Sequence, residues 1–371
     1  MKFIKIPAFA IVLLLLMQIV SKVFIAIDSS DIENIYGFYA EPKNSLDMVM
    51  IGPSEVYTGY APALAWEEYG LKSCNLSIGA VPCNMYKSIV TEIVKRQKPK
   101  LLIINAAAFS HGNWNLTDEV FLRKWIDNIP MSQNKLDTVK TIPKNINNDD
   151  EKVKDNISDT LYFPLEKYHG NWKDPDAVYT SFVTRTYMRL SGGGYLKGFF
   201  SKTGITGGRD NLANIGQPTK EAYVLTDECR AYLKELLAYC NKLGIEHVLL
   251  LQPPHETQAA DKSGLEQIES ITKEYGYDFL DLSTDYESIA GIDDSHDFAD
   301  FEHLNAYGAQ KLSSYIGNLA VNQYGIKSDT TKSELSRWEK SVKRTKKALK
   351  MAREYTDRGE AQVVGEYEAA K

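Results

Sequence analysis

Ser54, Asp300 and His303 are the residues whose types and spacing suit a chemical role. Ser54 stands in DMVMIGPSEVYTG (47–59), where Met48, Val49, Met50 and Ile51 run into Gly52-Pro53 and the chain is handed to a serine. A short apolar run closed by glycine and proline reads as a buried strand of a parallel sheet. Open α/β sheets carry their sites at the carboxyl ends of such strands. A serine at that place is a candidate nucleophile, and it is also an ordinary helix N-cap. A hydroxyl nucleophile needs a base to take its proton, and the base needs a third group to fix its tautomer. Near the other end of the chain, FADFEHLNAYGAQKL (298–312) offers both: Asp300 lies three residues before His303, ahead of a helix.

The elements that must position these residues follow from the apolar pattern. After the first strand, strands are predicted at 72–78, 100–105, 245–252 and 277–282. Helices are predicted at 84–97, from Thr226 to a stop at Gly244, at 263–275, and from Asn305 through Leu319. Strands alternating with helices argue for a parallel sheet covered on both faces. The pattern breaks over 106–225. Phe121, Leu122, Trp125 and Ile126 suit one short helix face, Asn134 to Asp159 reads as a polar surface loop, and an aromatic stretch LYFPLEKYHGNW precedes a glycine-rich run. So long a structureless loop is unusual in a compact domain, and an inserted subdomain or lid over the carboxyl edge of the sheet is expected.

The serine motif and the Asp-x-x-His motif, in this order and about 250 residues apart, resemble the SGNH/GDSL hydrolase superfamily over 48–105 and 226–322. The resemblance implies a flavodoxin-like three-layer α/β sandwich with a five-stranded parallel sheet in the order 2-1-3-4-5. It implies Ser54 as nucleophile, His303 as base and Asp300 as its orienter. It also implies an oxyanion hole made by the amide of Ser54, by Gly79 after the second strand and by an asparagine after the third. Lacking a side chain, Gly79 lets its amide approach a developing oxyanion. The family's Gly-x-Asn-Asp is absent; NAAAFSHGN stands there, with Asn105 the nearest match. Gly-Pro-Ser-Glu in place of Gly-Asp-Ser is similar to the DltD branch, membrane-anchored proteins of teichoic-acid D-alanylation, and to the anchored SGNH proteins of polysaccharide O-acetylation. That likeness implies an exported esterase or O-acyltransferase acting on acyl, notably acetyl, esters of a cell-surface polysaccharide or teichoic-acid-like glycan, with a membrane-bound O-acyltransferase as a partner. YHGNW, with His169 and Trp172, resembles a recurring feature of such proteins; an aromatic platform for a sugar and lid packing are its two readings. The alternative is a non-catalytic polysaccharide-binding or scaffold protein, favoured by the missing asparagine motif and opposed by the intact Ser54, Asp300 and His303.

Residues 1–27, MKFIKIPAFAIVLLLLMQIVSKVFIAI, are apolar with Lys2 and Lys5 ahead and Asp28, Asp31 and Glu33 behind, so an N-terminal transmembrane anchor with the domain outside the cytoplasm is expected. No Ala-x-Ala site favours cleavage. Residues 28–46 read as a polar stalk, 47–327 as the hydrolase domain with its insertion at 106–225, and 328–371 as a basic amphipathic helical tail, docked on the domain or drawn to an acidic surface. A net charge of −6 gives no reason to expect nucleic acid. Cys74, Cys83, Cys229 and Cys240 match no zinc or redox spacing and read as core residues. The acids Asp293, Asp294, Asp297, Asp300 and Glu302, with His296 and His303, lack the calcium-loop spacing and its glycine. No metal and no cofactor are therefore expected. His296 is the rival base, but only His303 has the acid three residues before it. His255 and His111 follow strand ends and read as pocket-lining or solvent-exposed.

Overall fold

The computed structural model describes residues 2–25, 29–142 and 157–370. Its strands among these residues are β1 (Met48–Gly52), β2 (Ser73–Ser77), β3 (Leu101–Asn105), β4 (Ser201–Lys202), β5 (Lys220–Ala222), β6 (His247–Gln252), β7 (Gln258–Asp261), β8 (Asp278–Asp281) and β9 (Val363–Val364). Five of them form one parallel sheet in the order β2-β1-β3-β6-β8. This is the α/β architecture and strand order expected of a flavodoxin-like sandwich. Side chains alternate across a strand, and both faces are apolar because both are covered. Val49, Ile51, Leu76, Leu102, Ile104, Val248 and Leu250 pack into one core cluster with Ile89, Ile93, Leu233, Leu237 and Ile268. Met48, Met50, Leu101, Ile103, Leu249 and Leu251 pack into the other with Leu304, Leu312 and Ile316. All carboxyl ends of the sheet therefore point one way, and the turns after β1, β3 and β6 share one edge.

The segments outside the sheet depart from expectation. Residues 29–40, read as a stalk, form the helix Ser29–Ala40, which buries Ile32, Ile35, Tyr36 and Phe38 in the main core. Its spacing of apolar residues is helical, and its acids are buried with partners rather than solvated. Glu41, just after it, receives Lys197 Nζ at 2.7 Å and Arg337 Nη2 at 3.3 Å. One carboxylate thus ties the former stalk to the insertion and to the tail. The tail helix Lys332–Asp357 is begun by a capping box from Thr331 and Glu334. It is docked through Trp338, stacked on Trp66 with centroids 5.6 Å apart; such a pair adds about 0.5–1.5 kcal/mol beyond its buried area. The chain then returns as β9, antiparallel to β4 of the insertion.

The insertion carries more helix than the sequence suggested. Gln133–Thr141 and Ile157–Tyr162 are helical, while 143–156 of the expected polar loop lie outside the described residues. The long helix Pro175–Ser191 packs on Ser29–Ala40. Lys2–Phe24 is a helix whose end is held by the insertion: Arg185 Nη1 donates to the Lys22 carbonyl at 2.8 Å, and Asn171 Nδ2 to the Phe24 carbonyl at 2.9 Å. Among the described residues no helix is long and apolar enough to cross a membrane, so the expected anchor finds no support in the fold. In YHGNW it is Asn171 that makes this contact; Trp172 is exposed, and His169 Nδ1 bonds to the nearby Glu166 carbonyl, at 2.7 Å. The cysteines are free and buried; Cys83 and Cys229 Sγ meet at 3.6 Å.

Glu33 generates a pH test of this packing. It is buried and accepts from the Glu366 amide at 3.1 Å. Burial, with Glu366 and Glu368 nearby, pushes its carboxyl up to about 8. An acid with a raised folded pKa keeps its proton when the unfolded chain, at about 4.3, has lost it. Its contribution to stability therefore declines as pH rises through that interval. We expect the Tm of Glu33→Gln to gain on wild type as pH goes from 5 to 8; parallel Tm curves would contradict the burial.

Candidate active site

β1 ends at Gly52, where a Cβ would lie 2.4 Å from Asn105 Cβ and 2.7 Å from Val56 Cγ2. Glycine alone lets the end of β1 close on the end of β3. Pro53, which has no N–H to extend the ladder, then opens the helix Ser54–Gly59. Ser54 is its first residue, so its amide has no intrahelical acceptor. Ser77 Oγ fixes the turn from β2 by donating to the Gly52 carbonyl at 2.9 Å.

His303 comes from the loop between Phe298 and Leu304, which pair as an antiparallel bridge. Inside this loop the Ala299 amide donates to the His303 carbonyl at 2.8 Å. Asp300 Oδ1 accepts the amides of Glu302, at 3.2 Å, and His303, at 2.9 Å. The spacing of three is thus an Asx-type turn, and it brings Asp300 Oδ1 within 2.7 Å of His303 Nδ1. His303 Nε2 lies 2.8 Å from Ser54 Oγ. With Nδ1–H given to the carboxylate, Nε2 is free to accept the serine proton. Ser54, His303 and Asp300 are therefore brought together in the geometry of a serine triad. His296 is not part of it; its Nδ1 faces Asp297 at 3.1 Å and its ring packs on Tyr307.

The expected oxyanion donors fare unequally. Asn105 is buried; its Oδ1 accepts the Ala107 amide at 2.7 Å, and its Nδ2 has no hydrogen-bond partner among the described residues. The Gly79 amide, by contrast, donates to Asp31 Oδ1 at 2.7 Å. Asp31, from the helix read as a stalk, also pairs with Lys124 at 3.1 Å.

Sequence reasoning missed Lys202. Its backbone is held in β4 against β9 on one side and bridges to Asn305 on the other. Its Nζ bonds Asp300 Oδ2 and lies 3.2 Å from His303 Nδ1. Burial pushes the Asp300 carboxyl up, but His303 and Lys202 outweigh it and hold the group well below the usual carboxylate range. A lysine between Ser201 and Thr203 in a two-residue strand carries no periodic signal, so nothing local marked it. A pocket of about 350 Å3 opens beside Ser54 and His303, lined by Ser30, Tyr57, Phe200, Lys202, Val363 and Glu368 among others. Helix 29–40, insertion and tail all contribute to its wall.

On the far flank, Ser54 Oγ also stands 3.4 Å from Glu55 Oε2. Burial and the nearby Glu55 push Glu302 up. His255 and His111, read as pocket-lining or exposed, converge with Glu221 into a group whose ligand atoms lie within 4.8 Å of one another. The acids of 293–297 are instead occupied within the chain: Asp294 accepts from Tyr286 Oη at 2.6 Å and Asp297 pairs with Lys311 at 2.6 Å. No protein-family model matches the chain, and no curated protein matches it.

Lys202→Ala removes a charged hydrogen bond from Asp300, an interaction of about 1.5–3 kcal/mol. In single-turnover release of acetate from an activated ester we expect a rate loss of about ten- to a hundredfold, partly restored by Lys202→Arg. A wild-type rate in Lys202→Ala would show that the ammonium does not position Asp300.

Proposed function

We propose that this chain is a serine esterase or O-acyltransferase of the SGNH/GDSL type. The observation that carries the reading is the pair of contacts through His303, 2.8 Å to Ser54 Oγ and 2.7 Å to Asp300 Oδ1. Ser54 Oγ attacks the ester carbonyl carbon, and its proton passes to His303 Nε2. Asp300 stabilises the imidazolium so formed. The tetrahedral oxyanion is met by the Ser54 amide, with Asn105 Nδ2, a buried donor that has no hydrogen-bond partner among the described residues, as the candidate second donor. Each such donor is worth about 2.7–4 kcal/mol in the transition state. Collapse expels the alcohol, which takes the proton from His303, and leaves acyl-Ser54. Water or a sugar hydroxyl then gives its proton to His303 and takes the acyl group, and His303 returns that proton to the departing Ser54 Oγ. The first outcome is deacylation and the second is transfer.

The setting is part of the same proposal. The charged-then-apolar sequence of 1–27 supports an anchored protein with its domain outside the cytoplasm. The polar pocket beside Ser54 suits a glycan ester, with a cell-surface polysaccharide or teichoic-acid-like polymer as substrate and a membrane-bound O-acyltransferase as partner.

One observation favours a second reading, a non-catalytic glycan-binding or scaffold protein: the Gly79 amide is taken by Asp31. The readings part on single-turnover acetate release from an activated ester, with Tm as the folding control. We expect wild type to turn over, and His303→Ala and Asp300→Asn each to fall by about 10⁴. Wild-type rates in both variants would remove the triad. Silence of wild type and of Asp31→Ala alike, with every glycan ester offered, would establish the scaffold reading instead.

A further inference from the structure

Three segments meet at the carboxyl edge of the sheet. His111 ends the turn after β3, Glu221 lies in β5, and His255 follows β6. The backbone fixes all three. His111 bridges to Val224, the Val224 amide donates to the Ser110 carbonyl at 2.6 Å, and β5 pairs in parallel with β7 just beyond His255. The Glu221 carboxylate stands between the two imidazoles, 2.6 Å from His255 Nδ1 and 3.1 Å from His111 Nε2. Thr257 Oγ1 donates to Glu221 Oε2 at 3.1 Å and orients it, as outer-shell groups orient metal-binding carboxylates.

The trio is not a closed hydrogen-bond network. His255 is fully buried, and its Nε2 has no hydrogen-bond partner among the described residues. His111 Nε2 is near Glu221 but makes no hydrogen bond. Two ring nitrogens, each buried at the atom and unpartnered among the described residues, are costly and call for an explanation. The remaining charges that bear on His255 are the carboxylates of Glu55 and Glu302, and Glu55 bears on His111 as well.

We propose that His111, Glu221 and His255 form a binding site for a divalent first-row transition-metal ion, Zn²⁺ foremost. Two imidazoles and one carboxylate are a set suited to such ions and not to calcium, which takes oxygen ligands. Zinc ligands at about 2.0–2.2 Å place donor atoms roughly 3.3–3.5 Å apart. The three donors already lie within 4.8 Å of one another, so small side-chain rotations close the site. Three protein ligands leave a fourth position for water or a ligand oxygen. The site does not rest on the acyl-transfer reading; it stands whether or not Ser54 is a nucleophile.

The test uses the full chain, stripped with a chelator, titrated with Zn²⁺ by calorimetry and with Co²⁺ by visible absorption. We expect one Zn²⁺ per chain, Co²⁺ ligand-field bands, and no heat with Ca²⁺. Glu221→Gln and His111→Ala should each weaken Zn²⁺ binding by about a hundredfold, whereas Ser54→Ala should bind as wild type. His111 is only half-buried, so its truncation leaves a folded protein even if Glu221→Gln does not. Absence of stoichiometric Zn²⁺ binding would overturn the proposal, and so would unchanged affinity in His111→Ala.

Discussion

The Asp300 carboxylate receives the His303 ring, the amides of residues 302 and 303, and the Lys202 ammonium. Each of these fixes something different. The two amides set the turn, and the bond to Nδ1 fixes the tautomer of His303. Lys202 joins the turn to β4, and through β4 to β9 and the tail. A carboxylate accepting several bonds from charged and backbone donors stays ionised, and the direction of the Asp300 shift agrees with that. Take the carboxylate away and the imidazole loses its orientation, while the ammonium is left without its counter-charge.

The same device closes the segments around the site. Glu41 collects Lys197 and Arg337; Glu366 accepts the amides of Tyr195 and Leu196 at 2.8 and 2.7 Å and Tyr187 Oη at 3.1 Å. Lys197 also lies under the Trp338 ring at 5.0 Å. Removing one partner from a buried ion pair typically costs about 3–5 kcal/mol. Acids and bases far apart in the chain thus bind helix 29–40, the insertion and the tail into one shell. That shell supplies Ser30, Phe200, Lys202, Val363 and Glu368 to the pocket.

What was legible in the sequence was what is local. Apolar runs ending in glycine or proline mark β1 and β6, a proline just ahead of the run marks β3, and their alternation with helices implies the parallel sheet. The turn at Asp300 is a matter of three residues, so its spacing could be read directly, and its meeting with Ser54 follows from the shared carboxyl edge. The shell was not legible. Its strands β4 and β9 are two residues long, and their pairing spans the insertion and the tail, so no period announces them. Residues 29–40 looked solvated because Asp31, Glu33 and Asn34 are polar, yet all three are buried. Asp31 on the Gly79 amide and the convergence of His111, Glu221 and His255 are likewise contacts between remote segments. Composition carries no trace of such contacts.

The central claim is that Ser54 is activated by the His303 imidazole. The most direct measurement is labelling of the full-length chain with a fluorophosphonate, which reacts with activated serines, followed by mass mapping of the modified peptide. Activation of Ser54 requires a single adduct on the peptide that contains it, and no adduct on the Ser54→Ala chain. An adduct on another serine, or equal labelling of the two chains, would contradict it.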